Sequence, residues 1–215
     1  MKIKKIFLIF IIVFTLSGCK NIKNLSYDDV INNFNVSPKK VNVYKKGYHF
    51  YIPNGLLIDN AGNNYAIINS KDITYYLYVD LVSYHNKNNF EYINDKNLIY
   101  SKKISYNKKD GYVEIKLWEN NQYLIEIMYN YAKIEVMVDE NLINKALINS
   151  ISILNSIEYN DLVIEHLLND DNLNFKEEVF ELFDKNKNNS SSLEFEDVKE
   201  ELDEKEEIKD TNFIN

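Results

Sequence analysis

Three histidines are the side chains whose chemistry best suits metal binding or proton transfer near neutral pH. His49, His85 and His166 each lie more than five residues from the other two. Ligands on one helix or one hairpin need closer spacings, so the histidines do not predict a local metal site. The Gly-x-Ser-x-Gly signature of a serine nucleophile on a strand-to-helix turn is also missing from the sequence. We therefore expect no catalytic residue, no cofactor and no metal, and a protein that is not an enzyme.

Carboxylates on neighbouring strands are a second kind of candidate, because a close pair can act as acid and base. Glu114 and Glu126 fall in two adjoining segments of alternating polarity. With Val113 and Ile125 pointing inward, we expect the two glutamates to lie on opposite faces of the sheet. The sequence therefore does not predict a carboxylate pair.

A weaker metal candidate lies near the C-terminus, where an apolar helical pattern runs into a polar loop. Asp184, Asn186 and Asn188 resemble the first, third and fifth ligands of an EF-hand loop. The pattern departs from the family at Asn189, where glycine is expected. A two-residue insertion would bring Asp197 to the position at which a glutamate usually closes the calcium site. The alternative, which we prefer, is a low-complexity linker that binds no ion.

A surface rich in tyrosine is the strongest candidate for binding. Alternation along the segment 73–84 and the two strands that follow predicts one face carrying aromatic and charged side chains. The residues of this expected face are Tyr76, Tyr78, Asp80, Tyr84, Tyr112, Trp118 and Tyr131. Such rings offer contact area together with a polar tip, which suits a sugar or a protein partner. The alternatives are that a second helical layer covers the face, or that the rings only stabilise neighbouring strands.

The elements that would position these residues predict an α+β fold. Period-two patterns between residues 41 and 139 indicate an antiparallel sheet, with the longest strand at residues 73–84 and a turn at residues 109–111. A broad apolar stripe from about Glu140 to Ser156 predicts a helix packed on that sheet. We expect the α+β domain to span residues 38–160. A helical extension follows at residues 161–186, and a disordered acidic low-complexity tail at residues 187–215.

Charge is distributed unevenly along the chain. The 215 residues carry 33 acidic side chains against 25 basic ones, for a net charge of −8, and every basic residue is a lysine. The body is neutral, and most of the negative charge belongs to the last fifty residues. This balance argues against nucleic acid as a partner, because duplex binding depends on clustered cations. A single cysteine excludes an internal disulfide framework and a four-cysteine zinc site.

That cysteine belongs to a targeting segment. Residues 1–18 combine a lysine-rich start, an unbroken apolar run and small residues, the layout of a secretory signal peptide. The sequence Leu16-Ser17-Gly18-Cys19 resembles the lipobox of bacterial lipoproteins. The resemblance implies a diacylglyceryl group on Cys19 and cleavage after Gly18. Residues 19–37 would then be a lipid-anchored tether on the extracytoplasmic face of the cell membrane, and the alternative is an uncleaved anchor with an incidental cysteine.

Within the tether, Ser26 followed by Asp28 and Asp29 predicts the start of a short helix.

A second resemblance covers residues 40–160. The sequence Phe-x-Ile-Pro-x-Gly formed by Phe50, Ile52, Pro53 and Gly55, followed by tyrosine-rich strands and a late helix, resembles the PsbP-like α/β/α sandwich. That family implies a scaffold for binding or assembly and supplies no catalytic residues to transfer. The function we expect is non-catalytic binding or accessory work for envelope or secreted partners. Capture of a solute or glycan for a transporter is the alternative, and a hydrolase assembled from distant residues comes third.

Overall fold

The computed structural model describes residues 25–169 and Phe183. The expected signal peptide, the whole of the acidic tail and several predicted site residues lie outside this range. These residues are Cys19, Asp184, Asn186, Asn188 and Asp197. The lipidation site and the calcium loop therefore stay predictions.

The described chain begins with a short helix, α1 (Tyr27–Ile31), as the sequence predicts. The Ser26 hydroxyl accepts a hydrogen bond from the Asp29 amide at 3.2 Å, which satisfies one of the free amides of the first turn. A 3₁₀ turn (Asn32–Asn35) continues from α1. Val30, Ile31 and Phe34 are fully buried. Part of the predicted tether is thus packed into the folded domain.

Within residues 25–169, ten strands form two antiparallel sheets, which confirms an α+β architecture. The small sheet has the order β1-β2-β10 and contains β1 (Val43–Lys45), β2 (Tyr48–Phe50) and β10 (Glu158–Tyr159). The large sheet contains β3 (Leu57–Ala61), β4 (Tyr65–Asn69), β5 (Thr74–Val79), β6 (Tyr100–Tyr106), β7 (Lys109–Leu117), β8 (Tyr123–Tyr129) and β9 (Ala132–Val138). Its order is β3-β4-β5-β9-β8-β7-β6.

The hairpin turns set the register of the large sheet. Asn107 and Lys108 both have positive φ and join β6 to β7, and Asn130 and Tyr131 do the same between β8 and β9. Two-residue turns with positive φ match the twist of paired strands. The turn predicted at residues 109–111 was wrong, because these residues already belong to β7. Asn120 and Asn121 also have positive φ, and they lie in the short connection between β7 and β8.

The part of the chain that the structure describes contains three further α-helices, which lie between β5 and β6, between β9 and β10, and after β10. They are α2 (Leu81–Asn86), α3 (Ile143–Asn155) and α4 (Asp161–Leu168). The long helix α3 confirms the predicted stripe, while α2 replaces the second half of the strand predicted for residues 73–84. The Asp80 carboxylate accepts a hydrogen bond from the Ser83 amide at 2.8 Å, so this residue ends the strand and caps the helix.

The core lies between one face of the large sheet and a layer formed by α1 and α3. Tyr75, Leu77 and Val79 of β5 all point into it, as the alternation predicts. The Tyr75 hydroxyl accepts a hydrogen bond from Asn149 Nδ2 of α3 at 2.7 Å. The other face of the large sheet, called the polar face below, carries the residues that alternate with the core positions. Among the described helices, none is long and apolar enough to cross a membrane.

Candidate functional site

Three glutamates form a row across the polar face. Glu114 of β7 lies directly opposite Glu126 of β8, and Glu126 lies directly opposite Glu135 of β9. All three side chains are buried. The prediction that Glu114 and Glu126 lie on opposite faces was wrong. Each glutamate follows a core residue by one position, so both side chains must leave the core on the same side.

Each carboxylate of this row has a nearby partner, which is a lysine or a hydrogen-bonding phenol. Glu114 accepts a hydrogen bond from the Tyr92 hydroxyl at 2.6 Å and lies 2.8 Å from Lys116 Nζ. Lys133 Nζ lies 2.8 Å from Glu135 Oε1. Two lysines therefore accompany the three glutamates. Such pairing is expected, because buried charges persist in proteins only when they are paired or hydrogen-bonded.

The third carboxylate is held by a phenol. The Tyr112 hydroxyl donates a hydrogen bond to Glu126 Oε1. Burial and then the Glu126 carboxylate raise the pKa of Tyr112 above its ordinary value. Burial and then the hydrogen bond to Glu114 likewise raise the pKa of Tyr92. Both phenols therefore keep their protons and serve as hydrogen-bond donors at neutral pH.

An aromatic cluster lies beside the glutamate row and consists of Phe90, Tyr92 and Tyr112. The rings of Tyr92 and Tyr112 stack with centroids 4.5 Å apart and planes within 4°. Phe90 lies parallel to them, with its centroid 5.7 Å from that of Tyr112. Parallel rings at these separations attract one another beyond their buried area. The cluster thus fastens the connection between α2 and β6 onto the polar face.

Polar contacts hold the same connection against the edge strand β6. The Asn94 side chain accepts a hydrogen bond from the Lys103 amide at 2.9 Å. The Ser101 hydroxyl accepts one from the Asp95 amide at 2.8 Å and lies 2.7 Å from the Tyr92 hydroxyl. These bonds use groups of the outermost strand that would otherwise face solvent, so the loop protects an exposed sheet edge.

The predicted tyrosine face is brought together only in part. Tyr76, Tyr78 and Tyr112 do lie on the polar face, as their pairing with β4, β9 and β8 shows. Trp118 follows the last residue of β7 and is half-buried. Asp80 does not contribute to the face, because it caps α2.

Tyr84 and Tyr131 belong to a different cluster, and their assignment to the face was wrong. Tyr84 lies on α2 and stacks on Tyr159 with a centroid separation of 3.8 Å. Its hydroxyl donates to Asp161 at 2.7 Å. Tyr131 lies in the hairpin turn between β8 and β9, and its ring meets that of Tyr84 edge-on at 5.7 Å. Helix and turn positions do not follow the alternation of a strand.

Phe90, Tyr92 and Glu135 are site residues that sequence reasoning missed. The two aromatics lie in a segment that is otherwise rich in asparagine and charge. The signal that could have predicted their role is the presence of two aromatic residues, separated by one residue, in a polar loop. Such large apolar side chains are usually buried, so they indicate that the loop packs against the domain.

Metal binding has no support among the described residues. Within residues 25–169, no group of three or more His, Cys, Asp or Glu side chains is arranged to hold an ion. His49 Nε2 lies 3.3 Å from Glu158 Oε2, and His85 and His166 are exposed. The histidines therefore occupy surface or boundary positions.

A separate cleft of about 570 Å³ opens at the other side of the sheet. Leu25, Tyr27, Glu140 and Asn144 are among the residues that line it, at the junction of α1 with the start of α3. The Asn144 side chain donates a hydrogen bond to the Leu25 carbonyl at 2.9 Å. The cleft thus lies where the described chain begins.

No known protein family matches this chain, and no curated protein matches it either. The geometry of the polar face and the position of the chain's first described residues are therefore the observations from which function can be argued.

We predict that Tyr92→Phe lowers the free energy of unfolding by about 1–2 kcal/mol, because it removes the hydroxyl donor from the buried Glu114 carboxylate. Urea denaturation monitored by circular dichroism measures this loss of stability. Tyr44→Phe is the matched control, since Tyr44 is 69% exposed. Equal free energies for the two variants would show that the Tyr92 hydroxyl contributes nothing to the site.

Proposed function

We propose that this protein is an extracytoplasmic lipoprotein, held at the cell membrane by a diacylglyceryl group on Cys19. In this proposal it acts without catalysis, as a binding or accessory protein for envelope or secreted partners. The surface it presents is the part of the polar face that carries the aromatic cluster and Lys103. Two acyl chains suffice for lasting attachment, whereas a single chain binds only marginally.

The position of Leu25 is the observation that carries the proposal. Asn144 of α3 holds the Leu25 carbonyl at 2.9 Å, so the chain enters the domain on the helical side of the large sheet. Residues 19–24 are the six that precede Leu25. Fully extended, they reach about 20 Å. The membrane would therefore lie close to the α1 and α3 layer, and the polar face would be on the opposite side of the sheet.

We also infer a PsbP-like scaffold for this domain. The large antiparallel sheet with α1 and α3 on its core face provides two of the three layers such a sandwich needs. A scaffold of this kind supports binding through its surfaces rather than through a buried catalytic centre. It therefore fits a tethered accessory protein.

Capture of a solute or glycan is the second candidate, favoured by the cleft beside Leu25. Its volume of about 570 Å³ falls in the range of small-ligand sites. Tyr27 offers a ring, and Glu140 offers a carboxylate, to a ligand in it. A thermal shift produced by an envelope sugar in the wild-type protein, and lost in Tyr27→Ala, would favour this function over partner binding.

Metabolic labelling with a fatty acid tests the membrane anchor. We expect the wild-type protein to carry the label and to partition with membranes. The Cys19→Ser variant should lose the label completely, because no other cysteine is present. Undiminished labelling of the variant would exclude a lipid on Cys19.

Site-directed photocrosslinking in intact cells tests which side of the domain meets a partner. A photoreactive residue at Lys103 probes the polar face, and one at Lys145 probes the helical side, since both lysines are exposed. We expect protein crosslinks from position 103 that exceed those from position 145. The opposite ranking would mean that the polar face is not the binding surface.

A further inference from the structure

Asn54 and Gly55 form the one Asn-Gly pair in the whole sequence. They make up a turn in the connection between β2 and β3, and both residues are exposed. In such a pair the side-chain amide can be attacked by the next main-chain nitrogen, and glycine has no side chain to hinder the attack. Asparagine is also among the thermolabile residues of proteins. This turn therefore brings together the groups that an intramolecular cyclisation needs.

The backbone of the turn leaves the Gly55 nitrogen accessible. The hydrogen bond that closes the turn runs from the Leu56 amide to the Pro53 carbonyl at 3.2 Å, so it does not use the Gly55 amide. Gly55 has a φ of +87°, and no atom beyond its chain neighbours lies within 4 Å of the position that a Cβ would occupy. The turn can therefore open locally, and the Asn54 side chain can change rotamer, without displacing a packed group.

Anchored residues on both sides confine this freedom to the turn. The Asn42 side chain accepts a hydrogen bond from the Ile52 amide at 2.7 Å and donates one to the Ile52 carbonyl at 3.0 Å. On the other side, Leu56 is 7% exposed and belongs to the core. Residues 53–55 thus form a short link between one anchor next to the small sheet and another next to the large sheet.

Other asparagines that precede a small residue are held differently. The Ser70 amide, which follows Asn69, donates a hydrogen bond to a main-chain carbonyl at 2.8 Å. The Ser156 amide, which follows Asn155, donates one at 3.1 Å. A nitrogen engaged in such a bond must be released before it can attack, and the release costs free energy. The structure therefore distinguishes Asn54 from these two asparagines.

We propose that Asn54 is a site of spontaneous deamidation and isoaspartate formation in the folded protein. The Gly55 nitrogen loses its proton to solvent and attacks the side-chain carbon Cγ of Asn54. A bond forms between these two atoms and the bond from Cγ to Nδ2 breaks. The Nδ2 nitrogen takes up a proton and leaves as ammonia, and the product is a five-membered succinimide. No oxidant or reductant takes part.

Water then opens the succinimide in one of two ways. Breaking the new bond between Cγ and the Gly55 nitrogen leaves an ordinary aspartate. Breaking the older bond, between that nitrogen and the main-chain carbonyl carbon of residue 54, leaves an isoaspartate. Both products add a negative charge to the turn, and the isoaspartate also lengthens the main chain between Ile52 and Leu56. This inference requires neither the lipid anchor nor a partner, so it stands or falls separately from the proposed function.

Peptide mapping by mass spectrometry tests the proposal on the full chain. The protein is incubated at mildly alkaline pH, both folded and unfolded in guanidinium chloride, and conversion at each asparagine is followed over time. Isoaspartate is quantified with an isoaspartyl methyltransferase. The unfolded chain supplies the intrinsic rate of each site, so the ratio of the two rates reports the effect of the fold alone.

We expect Asn54 to convert in the folded protein at nearly its rate in the unfolded chain, and faster as the pH rises, because the attacking nitrogen must lose its proton. Folding should slow conversion at Asn69 and Asn155 at least about tenfold, the equivalent of about 1.4 kcal/mol in activation free energy. If folding slowed Asn54 as much as the other two, the turn would be protective and the proposal would be overturned.

Two variants assign the reaction to residue 54. Asn54→Gln is the matched control, because it keeps a side-chain amide but would need a six-membered ring to cyclise, so conversion at this position should disappear. Asn54→Asp supplies the reference peptide for the aspartate product. Isoaspartate that persisted at the wild-type level in Asn54→Gln would arise elsewhere in the chain, and the assignment to Asn54 would be refuted.

Discussion

Replacing Phe34 with alanine is expected to lower the free energy of unfolding by about 4 kcal/mol, the usual cost of removing a buried phenylalanine ring. Phe34 is fully buried, and its centroid lies 4.4 Å from that of Tyr129 and 5.9 Å from that of Tyr106. The ring joins the 3₁₀ turn after α1 to the ends of β6 and β8. Its loss would leave a cavity that the rigid sheet cannot fill.

Urea denaturation of Phe34→Ala beside Val36→Ala measures this effect. Val36 lies two residues further on and is 58% exposed, so its truncation should cost less than about 0.5 kcal/mol. The comparison also decides where the tether ends. If residues 25–36 were a free linker, the two variants would be equally stable, and the packing of this segment would be refuted.

Gly111→Ala is expected to lower the free energy of unfolding by about 3 kcal/mol, because the backbones of β7 and β8 are in close contact at this position. A Cβ atom at Gly111 would lie 2.0 Å from the Met128 carbonyl oxygen and 2.9 Å from the Tyr129 Cα. Both atoms belong to the backbone of β8, which cannot rotate away as a side chain can. The methyl group therefore forces β7 and β8 apart at the end of the hairpin that aligns the glutamate row.

Gly55→Ala is the control for this prediction. No atom lies within 4 Å of a Cβ at Gly55, but its φ of +87° is unfavourable for alanine. That conformational cost is about 1 kcal/mol. Unfolding free energies and amide exchange across β7 and β8 should separate the two variants. A Gly111→Ala protein as stable as Gly55→Ala would mean that the strands are not in such close contact.

Local signals predicted the elements that depend on local physics. Ser26 caps α1 because its hydroxyl and the amide it binds are three residues apart in the chain. The stripe of α3 and the alternation of β5 up to Val79 were likewise correct, since each follows from the period of one element.

Errors occurred where a short-range contact competed with the pattern. Residues 73–84 have the composition of one long strand, yet Asp80 captures the Ser83 amide and starts a helix. Tyr131 fits the alternation of β9, yet the hairpin before β9 places it in a positive-φ turn. Propensity averages over a window, and one capping or turn residue overrides it.

The sequence by itself determined three properties of this protein. These are the α+β class, the segregation of negative charge toward the C-terminus and the availability of a single cysteine, Cys19, for the lipid that we propose. Each depends on composition or on a period within one element. None requires knowing which distant residues meet.

Tertiary structure alone decided the site. Glu114, Glu126 and Glu135 come from three strands and form a row because two hairpin turns set their register. A shift of one residue would move one of these carboxylates to the other face. Tyr92 reaches the row from a loop, and Phe183 reaches Tyr76 from beyond α4. Contacts between residues this far apart in sequence depend on the packing of the whole chain, which no local pattern contains.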